Sequence, residues 1–200
     1  MRERADASCP SDRAMLRIVQ FEEIQALRLG VSALVDLLES RSPDFAGAVK
    51  EWLARVEGVL TSNRMPVAGG VAALRGTLIS AERGAVPPDI IITGRATPRK
   101  ARDATASDLL RRADALVAAA VQADVERVAE GERLMRRIVA AARQKGHTPP
   151  GPGGLPGQAG LSAAWSAISA DPDIAGAAMH LRGLFAADDV LLLLDRALAC

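Results

Sequence analysis

At 200 residues, 49% of them hydrophobic, the chain is long enough for one large domain or two small ones and can bury a core without disulfide or metal staples. Its 25 Lys and Arg nearly balance 24 Asp and Glu, and a net charge of +1 excludes a strongly basic nucleic-acid coat or an acidic tail as a description of the whole chain. Three Phe, two Trp and no Tyr stand against 39 Ala, which favours closely packed helices and excludes an all-β domain.

Residues 1–10 are charged, lack the apolar run of a signal peptide and are expected to be a disordered N-terminus. A bundle is expected over 11–146. Its first Pro-free window, about Ser11 to Arg41, carries Ile24, Leu27, Val31, Leu34 and Leu38 at 3-4-3-4 spacing, one stripe of a single helix that Met15, Ile18 and Phe21 extend. Ser42 and Pro43 read as N-cap and first position of a second helix, with Phe45, Val49, Trp52, Val56 and Val59 on one face and an end near Thr61-Ser62-Asn63. A third helix follows Pro66 and carries Val67, Val71, Leu74, Leu78 and Ala81. The stretch Gly84 to Gly94 contains Ile90, Ile91 and Ile92, the one β-like run, expected to lie extended on the bundle.

The longest window begins after Pro98, is expected to be capped by Thr105 or Ser107, and runs as one helix to about Lys145, where Gly146 stops it. Leu110, Val117, Val121, Val128, Met135, Ile138 and Ala142 form its stripe, broken by Asp124 and Gly131. A helix of about 40 residues is about 60 Å long, more than the second and third helices can cover. It must therefore kink, dimerise or find a further partner. Residues 147–158 are so rich in Pro and Gly that they read as a flexible linker.

Beyond the linker, 159–200 read as a small helical module. Leu161, Trp165 and Ile168 mark one helix. Asp171-Pro172 caps a second, with Ile174, Leu181 and Leu184, and Asp188 and Asp189 open a last one, Val190 to Leu198, apolar on most sides. The fold class is thus all-α: an antiparallel bundle of three helices plus one long helix, followed by a tethered C-terminal module.

Candidate chemistry is sparse. The strong metal ligands His147, His180, Cys9 and Cys200 are not at ligand spacing. Two terminal cysteines make no disulfide framework and point to a reducing compartment. No G-x-S-x-G is present, the pairs Asp171/Asp173 and Asp188/Asp189 sit where helix caps belong, and Gly69-Gly70 and Gly151 to Gly160 lack the context of a phosphate cradle. No metal, no cofactor and no enzymatic activity are expected. No apolar run approaches the roughly 18 residues of a membrane span, so the expectation is a cytoplasmic protein. Arg and Ala abound while only Lys50, Lys100, Lys145 and a single Asn, Asn63, occur, the pattern of GC-rich coding expected of a bacterial source.

Two function classes remain. The leading one is a non-enzymatic interaction protein, an adaptor, assembly subunit or regulatory partner, engaging a protein partner or its own copy through Leu184, Phe185, Val190, Leu191, Leu193, Leu194 and Leu198. The alternative is binding of nucleic acid or another polyanion by a basic arm at 95–112: Arg95, Arg99, Lys100, Arg102, Arg111 and Arg112. No aromatic residue interleaves with these cations, which leaves them no ring for base stacking.

Overall fold

The computed structural model describes residues 15–85, 87–90, 97–147 and 157–199. Residues 1–10, Ile91 and Ile92, Arg95, most of the linker, Cys9 and Cys200 lie outside them. Among the described residues the protein is an all-α bundle of eight helices: α1 (Ile18–Leu29), α2 (Val31–Glu39), α3 (Phe45–Ser62), α4 (Ala68–Glu82), α5 (Pro98–Gln144), α6 (Gln158–Ala170), α7 (Pro172–Leu184) and α8 (Ala187–Ala199).

The expected first helix is two. It is interrupted at Gly30, the weakest helix former in its window, which closes α1 by donating to Ala26 O and opens α2. Because Gly30 keeps near-helical angles (φ −65°, ψ −12°), the stripe stays in phase across the break, and Ile24 and Leu34 are both buried. The start is also later than the periodicity suggests. Arg17 is extended, its N–H bonded to Gln20 Oε1 at 2.9 Å, so α1 begins at Ile18.

Two caps differ from expectation as well. The second expected helix, α3, starts at Phe45 rather than Pro43, because Ser42 Oγ accepts the N–H of Asp44 at 3.2 Å and the turn takes two residues more. The long helix is capped by Thr97, whose hydroxyl accepts from Lys100 N at 3.3 Å with Pro98 at the first position. Thr105 is instead fully buried and bonds Ala101 O at 2.8 Å. The earlier start is favoured because Pro98 supplies a φ ready for the helix and has no N–H to leave unpaired.

Helix α5 has 47 residues and is therefore about 70 Å long. Four helix ends close the same way, with a residue in the left-handed region just past the C-cap. Gly84 (φ 96°) and Gly146 (φ 75°) do so without strain, whereas Arg41 (φ 55°) and Arg64 (φ 53°) carry a Cβ there. At α3 the closure is Arg64 N to Thr61 O and Met65 N to Leu60 O, both 2.9 Å. Relieving the Cβ clash makes Arg64→Gly more stable by about 1 kcal/mol, readable as a rise of a few degrees in the thermal midpoint. A fall would show that the Arg64 side chain contributes more than its backbone costs.

The long helix is covered along its length by different neighbours. Helices α3 and α4 form an antiparallel hairpin, tied by Glu57–Arg75 at 2.6 Å and Lys50–Glu82 at 2.8 Å, over its first half. The arm α1–α2 runs antiparallel to α5, since Leu16 meets Arg127, Arg28 meets Asp114 at 2.9 Å and Arg41 meets Arg99. Trp52, the largest fully buried side chain, donates its indole N–H to Leu27 O at 2.8 Å and so keeps its polar edge paired inside the core.

Helices α7 and α8 cover the distal part of α5, and α6 packs on α7 and α8. The excess length of α5 is thus covered by the C-terminal helices of the same chain. All seven residues of the α5 stripe are buried, and one continuous apolar core runs from Leu16 to Ala197.

Candidate interaction surface

The seven residues nominated on the C-terminal helices do come together, but against this chain's own core. Phe185, Val190, Leu193 and Leu194 are buried, and Leu184, Leu191 and Leu198 pack on the same cluster. The two interruptions of the α5 stripe make the seat. At Gly131 there is no side chain, and the ring of Phe185 fills the space: a Cβ there would lie 2.4 Å from Phe185 Cε2 and 3.2 Å from Leu193 Cδ1. Two turns earlier, buried Asp124 pairs with Arg127 at 3.0 Å. The Arg127 guanidinium lies over the Phe185 ring, 4.8 Å from its centroid, and donates to Leu184 O at 3.3 Å and Leu16 O at 2.7 Å. One cation thereby ties the start of α1, the α7–α8 corner and α5 together. A partner using these seven residues would have to displace α7 and α8 from this seat.

Ion pairs fasten the rest of the layer. Lys145, just past α5, bonds Asp171 at 2.8 Å and also Asp173 at the start of α7, while His147 Nε2 lies 3.1 Å from Asp171. The Lys145 ammonium, helped by the Asp173 N–H, holds the Asp171 carboxyl below the usual carboxylate range. Asp171 also caps α7 as expected. Asp189 stands in the first turn of α8, as expected, and reaches across to α1, accepting Arg17 Nε–H at 2.9 Å and the Ile18 N–H at 3.3 Å. Arg196 meets Glu22 of α1 at 2.6 Å, and that bond raises the Arg196 pKa.

Among the described residues the basic arm is dispersed. Arg99 lies 3.4 Å from Asp103 and donates to Arg41 O; Arg102 lies 3.6 Å from Asp103. Arg111 pairs with Asp108 at 2.8 Å. Arg112 bridges Asp108 at 2.6 Å and Asp89, whose carboxyl it pulls below its usual range. Arg99 and Lys100 line one cleft, whereas Arg111 and Arg112 border a different one beside Leu74 and Leu116.

What sequence periodicity missed is a second apolar stripe on the α1–α2 arm. Val19, Ala26, Leu29 and Ala33 recur at helical spacing on the side opposite Ile24 and Leu34, and all four are exposed, Val19 by 65% and Leu29 by 77%. Met15, 59% exposed, precedes them. Of the six exposed large hydrophobic residues among those described, four (Met15, Val19, Leu29 and Val35) lie on this one arm. Glu22 falls within the stripe but is bonded to Arg196 of α8. The signal was present as spacing in the sequence, hidden by the stronger stripe on the other side.

Among the described residues no group of three or more His, Cys, Asp or Glu is placed to hold a metal ion, and no helix is long and apolar enough to cross a membrane. Compared with known proteins, the chain matches no family model, no curated protein and no solved structure.

Proposed function

We propose that the protein is a non-enzymatic helical interaction protein that self-associates through the exposed face of α1–α2. The observation that supports this reading is the stripe of Val19, Ala26, Leu29 and Ala33, a solvent-facing apolar row on a helix pair whose other side already packs into the core. Monomeric proteins scatter single apolar residues over their surfaces, whereas a row at helical spacing is what a helix-on-helix contact uses. The small Ala26 and Ala33 allow a second helix to approach closely, with Val19 and Leu29 as the larger side chains filling the gap between backbones.

The nucleic-acid alternative has less behind it. Arg111 and Arg112 are matched by Asp108 and Asp89, so the described residues of the arm offer no continuous track of open cations.

The test is light scattering coupled to size exclusion on the wild-type chain and on Val19→Glu/Leu29→Glu. The wild type is expected to dimerise. Losing two buried side chains of about 1.5 kcal/mol each weakens the contact by roughly a hundredfold or more, so the variant is expected to run as a monomer. Its stability should stay within about 0.5 kcal/mol of wild type, because both side chains face solvent in the single chain. A variant that associates as the wild type does would remove this face from the account. An additional 260 nm absorbance shed in high salt would transfer the role to the basic arm.

A further inference from the structure

Between the end of α2 and the start of α5 lies a cleft of about 680 Å³, within the size range of small-molecule sites. Buried Phe45 with half-buried Leu38 and Ala104 gives it an apolar floor, the exposed Arg41, Arg99 and Lys100 give it a cationic rim, and Ser42, Thr97 and Ser107 complete the lining. The three cations are not equivalent. Arg99 is matched by Asp103, which also lines the cleft, at 3.4 Å. Arg41 and Lys100 have no carboxylate within ion-pair distance among the described residues. Among the described residues the cleft therefore holds two uncompensated positive charges over an apolar floor.

That charge count selects the ligand. A carboxylate or a sulfonate would neutralise one of the two cations, whereas a phosphate monoester carries about −1.5 to −2 at neutral pH and offers three acceptor oxygens to a guanidinium and an ammonium. The floor selects an apolar body on the ester side, since a bare phosphate would leave Leu38 and Ala104 wet. A nucleic-acid strand is not favoured, because the cleft is a local concavity and not a groove continuing to Arg111 and Arg112, which have acidic partners of their own. We infer that this cleft binds a small amphipathic phosphate monoester, its head held by Arg41 and Lys100 and its apolar body over Leu38, Phe45 and Ala104. This inference does not depend on self-association, which uses the α1–α2 face.

Isothermal titration of the full chain with hexyl phosphate tests it, with inorganic phosphate, hexanol and a short DNA duplex as comparison ligands. Hexyl phosphate is expected to bind at one site at least tenfold more tightly than either inorganic phosphate or hexanol, because head and tail are both used. In Arg41→Asn/Lys100→Gln the affinity should fall at least tenfold with the thermal midpoint not lowered. Asn is chosen at position 41 because it tolerates the left-handed backbone there. Equal binding by the variant, or no heat at millimolar hexyl phosphate, overturns the proposal. Inorganic phosphate binding as tightly as the ester removes the role of the floor and overturns it too, and displacement of the ester by the duplex would make the site part of a polyanion contact instead.

Discussion

Replacing Gly131 with Ala is expected to destabilise the protein by about 1–3 kcal/mol, although Ala is the better helix former by about 1 kcal/mol. The two effects have opposite signs, so the experiment decides between them. Gly131 is buried in the interior of α5, and an added Cβ would stand 2.4 Å and 2.5 Å from two ring carbons of Phe185. No real contact is that short, so the ring has to move. It has little freedom to do so: Phe185 is 4% exposed, Arg127 lies over its face, and Leu193 Cδ1 is only 3.2 Å from the same Cβ position. The ring, and with it the α7–α8 corner, must therefore lift off α5. Gly58, in the interior of α3, has nothing within 4 Å of an added Cβ and supplies the control; Ala there is expected to stabilise by about 0.5–1 kcal/mol. Urea unfolding of the two variants reads both signs. A gain at Gly131 equal to that at Gly58 would mean that the Phe185 corner does not seat on α5 at this glycine.

The same glycine shows what the sequence could and could not convey. Pro and Gly punctuation together with apolar periodicity located α3, α4, the end of α5 and the three C-terminal helices to within a few residues, because these signals are local to each helix, whereas α5 starts well before the expected cap at Thr105 or Ser107. Gly131 and Asp124 read locally as flaws in a stripe. Their meaning is tertiary, a gap sized for one ring and an anchor for one cation, and both depend on Phe185 and Arg127 arriving from elsewhere in the chain or from the next turn. The excess length of α5 was legible as a demand for partners, yet periodicity gives no hint of whether the partner is the same chain. The split at Gly30 was obscured because the stripe keeps its phase through the break. The exposed row on α1–α2 was masked for a related reason: a helix apolar on two sides has a weak overall asymmetry, and the stronger side takes the reading. The cleft is a different case. It joins Arg41 to Arg99, 58 positions on, and to the adjacent Lys100, and only the antiparallel course of the arm along α5 brings them together.

Removing the carboxylate in Asp189→Ala is expected to cost about 2 kcal/mol, most of it from one backbone group. Asp189 is 3% exposed; its two oxygens take the Arg17 Nε–H and the N–H of Ile18, itself fully buried. With the carboxylate gone, the Ile18 N–H at the start of α1 has no acceptor, and a buried unpaired donor carries a penalty of about 1–3 kcal/mol. The ionic share is smaller. The Arg17 side chain is 43% exposed, so solvent screens it, and it retains Asp188 at 3.0 Å. Two companions separate these contributions. Asp189→Asn keeps an acceptor for Ile18 and should lose about half as much, whereas Asp188→Ala, at a side chain 71% exposed, should change stability by less than about 0.5 kcal/mol. If a buried cap supplied from α8 is what sets the start of α1, chemical denaturation will find Asp189→Ala the most costly, Asp189→Asn intermediate and Asp188→Ala the least. Equal losses at the two positions would instead make the contact a surface ion pair. The order also bears on function, because α8 would then fix the position of the arm whose outer face carries Val19 and Leu29, and the C-terminal helices would govern association without touching the partner.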